Sequence, residues 1–152
     1  MTKLIPLSQI KTIIRDLPVF DGSPMYWSST QYFLPDMQWF RESYAPTVRD
    51  AFLKYPPADN RRDCTQAVRI ALALAGNSMA QRAENAGIAI GRTVGGLYST
   101  VNGITGSPGV MHDTCIFISD ELVPYFYEPQ NERITHAQSI TVGDWSALFI
   151  EL

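Results

Sequence analysis

The sequence predicts an α+β fold in which N-terminal helices pack on a mostly antiparallel sheet. Apolar residues at helical spacing dominate the first half, and short β-branched or aromatic runs separated by Gly, Asn, Asp and Ser dominate the second. A chain of 152 residues with 45% hydrophobic content is large enough to bury a real core. We therefore expect one domain over residues 1–152, with a helical and aromatic part over 1–57 and a helix plus sheet over 58–152.

Three helices are predicted before residue 57. Apolar positions over 4–17 share one helical face, and residues 19–35 favour a loop because they are rich in aromatic residues, Ser, Gly and Pro. A second helix is expected over 36–46, ended by proline, and a third over 47–55.

The fourth helix has the clearest start signal, in the stretch RRDCTQAVRIALAL. Asp63 is a favoured N-cap, and Gln66 completes a capping-box pattern with it. The apolar face that follows is made largely of alanine. Gly76 and Asn77 are typical of a helix C-terminus.

Four strands are predicted in the second half, over residues 88–94, 109–119, 123–128 and 146–151. Between the first two lies the stretch 95–109, which is rich in glycine and reads as a long flexible connection. It has neither the lysine of a phosphate-binding loop nor the glycine pattern of a dinucleotide site, so no nucleotide cofactor is expected.

Composition excludes several classes of partner. The net charge is -3 and the basic residues are scattered, so nucleic acid is not an expected ligand. No apolar run approaches the roughly 18 residues of a membrane span, and the N-terminus lacks the apolar core of a signal peptide. Two cysteines make no disulfide framework, which favours the cytoplasm, either bacterial or, for a phage-encoded protein, that of the host.

Cys64 is the candidate nucleophile. At the first turn of a helix it lies at the positive end of the helix dipole, which lowers a thiol pKa. The alternative is a small buried side chain in a helix. Of the two histidines, His112 lies in an apolar strand and needs a partner there, whereas His136 is typical of a surface turn. Strand alternation turns Cys115 away from His112, so Cys115 is expected in the core.

Glu128 is the expected partner of His112. A hairpin between the second and third predicted strands brings the strand end at Glu128 beside residue 112 or 113. A carboxylate there would fix the imidazole tautomer and stabilise the imidazolium, as in a catalytic triad. The alternative is an exposed glutamate in a turn.

The order of Cys64, His112 and Glu128 resembles that of papain-like and transglutaminase-like cysteine enzymes. The resemblance is greatest to the protease-like C-terminal domain of agglutinins related to the Marasmius lectin and to bacterial and phage domains of that kind, and it covers residues 26–134. The matching segments are Trp27-Ser28-Ser29, Tyr32-Phe33-Leu34-Pro35, Asp63-Cys64 with Ala67, Met111-His112, and Phe126-Tyr127-Glu128-Pro129-Gln130.

This resemblance implies a papain-like core and acyl transfer on a protein or peptide substrate, by hydrolysis or by transfer to an amine. Cys64 would attack, His112 would move the proton and Glu128 would orient His112. Three further residues are expected at the substrate wall or as oxyanion support: Gln130, Trp27 and Asn60. The acidic residues that bind cations in the agglutinins are replaced by Thr65 and Gln66, so we expect no metal and no other cofactor.

The competing function is an inactive module of the same fold that binds a protein, for example as a phage or bacterial accessory factor. The aromatic stretch from Tyr26 to Phe40 could form its contact surface. The alternative for that stretch is core packing.

Overall fold

The structure, a computed structural model, describes residues 3–54, 64–79, 86–106 and 110–152. It is a mixed α+β fold built around antiparallel strands, as the sequence predicts. The strands are β1 (Lys3–Pro6), β2 (Met25–Tyr26), β3 (Gln31–Leu34), β4 (Gly87–Ile88), β5 (Ile90–Leu97), β6 (Thr100–Val101), β7 (Ile104–Thr105), β8 (Met111–Ile118), β9 (Pro124–Glu128), β10 (Arg133–His136) and β11 (Trp145–Glu151). The helices are α1 (Leu7–Arg15), α2 (Met37–Trp39), α3 (Ala45–Lys54) and α4 (Cys64–Met79), with a π-helical turn over Phe40–Tyr44 between α2 and α3.

The main sheet has the strand order β10-β9-β8-β5-β11-β2. Its pairings are antiparallel except that of β2 with β11, which is parallel. The four predicted strands correspond to β5, β8, β9 and β11. A smaller sheet joins β1, β3 and β4. Most of the remaining strands have two to four residues, too short for alternation to mark them in the sequence.

Two hydrophobic clusters cover opposite faces of the main sheet. One joins α1 and the turn after it to alternate residues of β8, such as Ile116 and Ile118. The other joins α3 and α4 to the intervening positions, such as Cys115 and Phe117. Cys115 is fully buried, as predicted for a core residue. The central strands β8 and β9 are therefore buried on both sides, because their side chains alternate between two layers of helices and loops.

The separate helices predicted over 36–46 and 47–55 are one helical run. Asp36 caps it, since its carboxylate accepts a hydrogen bond from the Trp39 amide at 2.7 Å. Pro46 was wrongly expected to end the segment. It lies in the first turn of α3 directly after the π-helical turn. The wider π turn separates the proline ring from the preceding carbonyls, and this relieves the clash that normally breaks a helix.

Three other boundaries differ from the prediction. The N-terminal helix begins only at Leu7, because the preceding residues pair with β3 as β1. Helix α4 continues through Gly76 and Asn77 to Met79, while the predicted cap Asp63 lies outside the described residues. Within the described residues 95–106, the predicted flexible connection contains regular structure: β5 extends to Leu97, and β6 and β7 form a hairpin.

The turn between β6 and β7 requires the residue types that occur there. Asn102 and Gly103 both have positive φ, 51° and 75°, as a tight hairpin turn requires. Asn102 is buried, and its side-chain amide donates a hydrogen bond to the Phe126 carbonyl at 3.2 Å. The hairpin is therefore anchored on β9 rather than free. None of the helices in the described ranges is both long and apolar enough to cross a membrane.

Candidate functional site

His112 and Glu128 form a buried hydrogen-bonded pair. The His112 Nε2 atom lies 2.7 Å from Glu128 Oε2, and the glutamate is 1% exposed. The β8–β9 pairing aligns Cys115 with Tyr127, which places Glu128 opposite Thr114, one position further than predicted. Positions 112, 114 and 128 nevertheless share a face of the sheet, and the glutamate side chain reaches back to the imidazole.

Cys64 is the first residue of α4 and the third member of this cluster. Its thiol is hydrogen-bonded to the His112 side chain and to the backbone amide of Asp113, and the residue is half-buried. Helix α4 packs across β8, so its N-terminus lies at the end of that strand. Cys64, His112 and Glu128, which the sequence singled out, therefore lie together.

The thiol and the imidazole shift one another's protonation. Burial alone lowers the pKa of His112, but hydrogen bonds to Cys64 and Glu128 and their negative charges raise it to about 9. Burial raises the pKa of Cys64, but the hydrogen bonds from His112 and from the Asp113 amide outweigh it and lower that pKa. Both shifts favour the thiolate–imidazolium form more than isolated groups would, and the two groups titrate as a coupled pair.

A second ion pair supports the strand that carries His112. Arg92 on β5 contacts Asp113, with Nη2 to Oδ2 at 2.5 Å, and Asp113 is 2% exposed. Burial raises the pKa of Asp113, and the arginine opposes that shift. On the opposite face, the buried Trp145 ring lies edge-on to the His112 ring, with 6.3 Å between centroids. Neither contact was expected from the sequence, because Arg92 and Trp145 lie outside the segments that predict the site.

The predicted supporting residues have different positions. The backbone amide of Gln130 donates a hydrogen bond to Glu128 Oε1 at 3.3 Å, so Gln130 contributes through its main chain. Trp27 lines a groove beside α1, where the Lys11 ammonium lies 5.6 Å from the centre of its ring. Asn60 lies outside the described residues. His136 ends β10 and is exposed, and its ring lies 4.6 Å from that of Tyr125.

An exposed apolar patch adjoins the site. It consists of Tyr98, Val110 and Met111, which are 46%, 44% and 52% exposed, and we call it the Met111 patch. Met111 directly precedes His112 and pairs with Gly96, and the Tyr98 hydroxyl lies against the same glycine. The sequence feature that could have predicted this patch is an apolar residue at the start of β8, where the strand is still exposed to solvent.

The aromatic stretch from Tyr26 to Phe40 is divided between core and surface. Tyr32 and Phe40 are fully buried, whereas Tyr26 is 58% exposed and packs edge-on against Phe149. Core packing therefore accounts for part of the stretch, and it does not form one continuous exposed surface.

No metal site accompanies the cluster in the part of the chain that the structure describes, where no group of three or more His, Cys, Asp or Glu side chains is arranged to hold an ion. The groups available there are a half-exposed thiol, the imidazole hydrogen-bonded to it and a buried glutamate side chain.

Comparison with known proteins finds similarity in fold alone. No protein-family model matches the chain, and no curated protein matches its sequence. Among the solved structures that share the fold, two have 15% sequence identity over 98% of this chain. One is a "PSL1a-E64 complex", with a TM-score of 0.72. The other is Polyporus squamosus lectin bound to the human-type influenza-binding epitope Neu5Aca2-6Galb1-4GlcNAc, with a TM-score of 0.69. The chain spans about half the length of these proteins, 51% and 49%.

These matches correct two predictions. The assignment to papain-like or transglutaminase-like cysteine peptidases is wrong, because the structures that share this fold are those of a lectin, and the papain-like core is not supported. The predicted acyl transfer by Cys64 is wrong for the same reason. So is the prediction that the protein is a hydrolase with a catalytic triad. At 15% identity these matches show the shared fold alone.

Proposed function

We propose that this chain is a non-catalytic binding module that holds an extended segment of a partner protein. The binding site would combine the Met111 patch with the Cys64, His112 and Glu128 cluster. The observation that carries the proposal is an exposed apolar patch beginning at Met111, next to His112, beside a half-exposed thiol whose pKa is lowered.

The Met111 patch has the composition of a contact surface. An exposed methionine adapts its shape to different partners, and a tyrosine offers a large ring with a polar tip. Met111 pairs with Gly96, the Tyr98 hydroxyl lies against the same glycine, and exposed apolar groups that lie together mark interaction sites more often than scattered ones do. An apolar side chain of the partner would pack here.

The cluster would supply the polar contact. The Cys64 thiol is partly open to solvent, and its lowered pKa favours a thiolate, which accepts hydrogen bonds. The imidazole is already engaged by Cys64 and Glu128. A ligand group that fits this environment is therefore a donor, and an extended peptide presents backbone N–H groups at regular spacing.

The glycan named for Polyporus squamosus lectin does not enter this proposal. That lectin chain is about twice as long as the part that this chain matches, and a shared fold does not carry a ligand with it.

An array of random peptides tests the proposal. We expect the native chain to bind a subset of peptides that combine an apolar residue with an extended backbone. Met111→Asp should weaken the affinity by about tenfold or more, because a charge in the patch must be desolvated. Val142→Asp is the matched control, since Val142 is also apolar and 65% exposed, and it should bind as the native chain does.

Mass spectrometry of the released peptides completes the experiment. Intact peptides after prolonged contact are the expected result. Cleaved or cross-linked peptides would show that the cluster is catalytic. Equal losses in the Met111 and Val142 variants would show that the Met111 patch is not the binding surface.

A further inference from the structure

A second site lies away from the cluster, in the groove between α1 and β2. Its lining includes Lys11 and Arg15 of α1 together with Asp21, Ser23 and Trp27 from the segment that follows. We call it the Trp27 groove. Its volume is about 580 Å³, within the range of small-molecule sites.

Two cations lie on the same wall of this groove. Lys11 and Arg15 are four residues apart on α1, so their side chains lie one turn apart on one helical face. Within the described ranges neither forms an ion pair with a carboxylate. The Lys11 ammonium lies 5.6 Å from the centre of the Trp27 ring, and this cation–π contact holds it at the groove. Both charges are therefore available to an anion.

The groove also contains acceptors for hydroxyl groups. Asp21 is exposed, and the following Gly22 has a φ of 71° with nothing within 4 Å of an added Cβ, so this end of the groove is open. The Ser23 hydroxyl donates to the Ala147 carbonyl at 3.3 Å, which leaves its oxygen free to accept. A simple anion would use the cations and would be repelled by Asp21. A ligand with both a carboxylate and hydroxyl groups would use both sets of partners.

We infer that the Trp27 groove binds an acidic monosaccharide, a sugar ring that carries a carboxylate. The carboxylate contacts Lys11 and Arg15, and the ring hydroxyls donate to Asp21 and Ser23. The whole chain has a net charge of -3, so this local excess of positive charge comes from the groove itself. The inference does not depend on the proposed function of the cluster, because the two sites share no lining residue.

Calorimetric titration of the intact chain with D-glucuronate, D-glucose and acetate tests the inference. We expect glucuronate to bind at least tenfold more tightly than either of the others, since only glucuronate has both groups. Lys11→Gln and Arg15→Gln should each reduce glucuronate affinity by about tenfold. Asp21→Asn should reduce the preference for glucuronate over acetate.

Two controls keep the outcomes distinct. Arg69→Gln removes an exposed cation on α4, outside the groove, and should leave glucuronate affinity unchanged. Met111→Asp should also leave it unchanged. Equal affinity for glucuronate and acetate would overturn the inference in favour of a simple anion site. Equal losses in the Arg69 and Arg15 variants would attribute binding to the general field of the protein, and no glucuronate binding by the native chain would refute the site.

Discussion

His112 is a buried titratable residue that is satisfied by partners on two sides. Glu128 holds Nε2 at 2.7 Å, and the Cys64 thiol is hydrogen-bonded to the same ring. An unpaired imidazole in this position would cost stability through lost solvation, whereas the paired one is held in a single orientation. Cys115, on the opposite face of the same strand, has no such environment. Burial raises the pKa of its thiol well above the usual value.

The two thiols should therefore differ in reactivity with iodoacetamide. We expect Cys64 to be alkylated much faster than Cys115 near pH 7, because the thiolate is the nucleophile and only Cys64 is both accessible and shifted towards it. As the pH falls from 9 to 7, the labelling rate of Cys64 should fall less steeply than that of an ordinary thiol, because its pKa is lowered. In His112→Gln the labelling rate should instead fall by about tenfold per pH unit.

Mass spectrometry of the digested protein over time gives both rates, and circular dichroism checks that the variant is folded. Equal labelling of the two cysteines would contradict the assigned environment. An unchanged pH profile in His112→Gln would show that the imidazole does not stabilise the thiolate.

At the scale of the elements, two glycines have opposite effects on stability. One lies where β5 pairs with β11, and the other lies inside α4. Gly91 lies where the Glu151 carbonyl approaches its backbone, and an added Cβ would be only 2.0 Å from that oxygen. Gly76 lies inside α4, with nothing within 4 Å of an added Cβ. One glycine allows two strands to approach closely, and the other leaves a helix with excess backbone freedom.

Alanine at these two positions should have effects of opposite sign. Gly91→Ala should lower the free energy of unfolding by about 1–3 kcal/mol, because strand backbone must shift to admit the methyl group. Gly76→Ala should raise it by up to about 1 kcal/mol through helix propensity. Urea unfolding measures both values. Destabilisation by Gly76→Ala would indicate that α4 ends before residue 76, as the sequence predicted.

At the scale of the whole molecule, the main sheet joins two cores. Phe40, from the helical run over 37–54, stacks on Phe117 with 3.8 Å between ring centroids and meets the edge of Tyr127. On the other face, Trp145 packs against Phe126. Because β8 and β9 contribute to both clusters, disruption of one core should be transmitted to the other.

Phe40→Ala tests this coupling. It should lower the free energy of unfolding by about 3–5 kcal/mol, the usual cost of removing a buried aromatic ring. The fluorescence of Trp145, with Trp27 and Trp39 replaced by Phe, should change at the same urea concentration as the far-ultraviolet circular dichroism. Leu53→Ala, at a position that is 56% exposed, should cost less than about 0.5 kcal/mol. Separate transitions for the two signals would show that the cores unfold independently.

Local patterns accounted for the features that arise within a few residues of the chain. Alternation along β8 was enough to place Cys115 in the core and His112 on the opposite face, and the short hairpin to β9 was enough to bring Glu128 within reach. Position 128 was misplaced by one residue, because the exact turn determines register. The proline and glycine signals near 46 and 76 failed because a π-helical turn and tertiary packing overrode local preference.

What the sequence determined by itself was the α+β class, the main antiparallel strands and the cysteine, histidine and glutamate that meet, since period and hairpin geometry are properties of short segments. Only the tertiary structure decided that Trp27 lines a groove with Lys11 instead of the cluster, and that the Met111 patch lies open beside Cys64. Which side chains face solvent together depends on how distant elements pack. The comparison of folds, which corrected the peptidase assignment, likewise required the whole arrangement, because 15% identity leaves little for sequence to match.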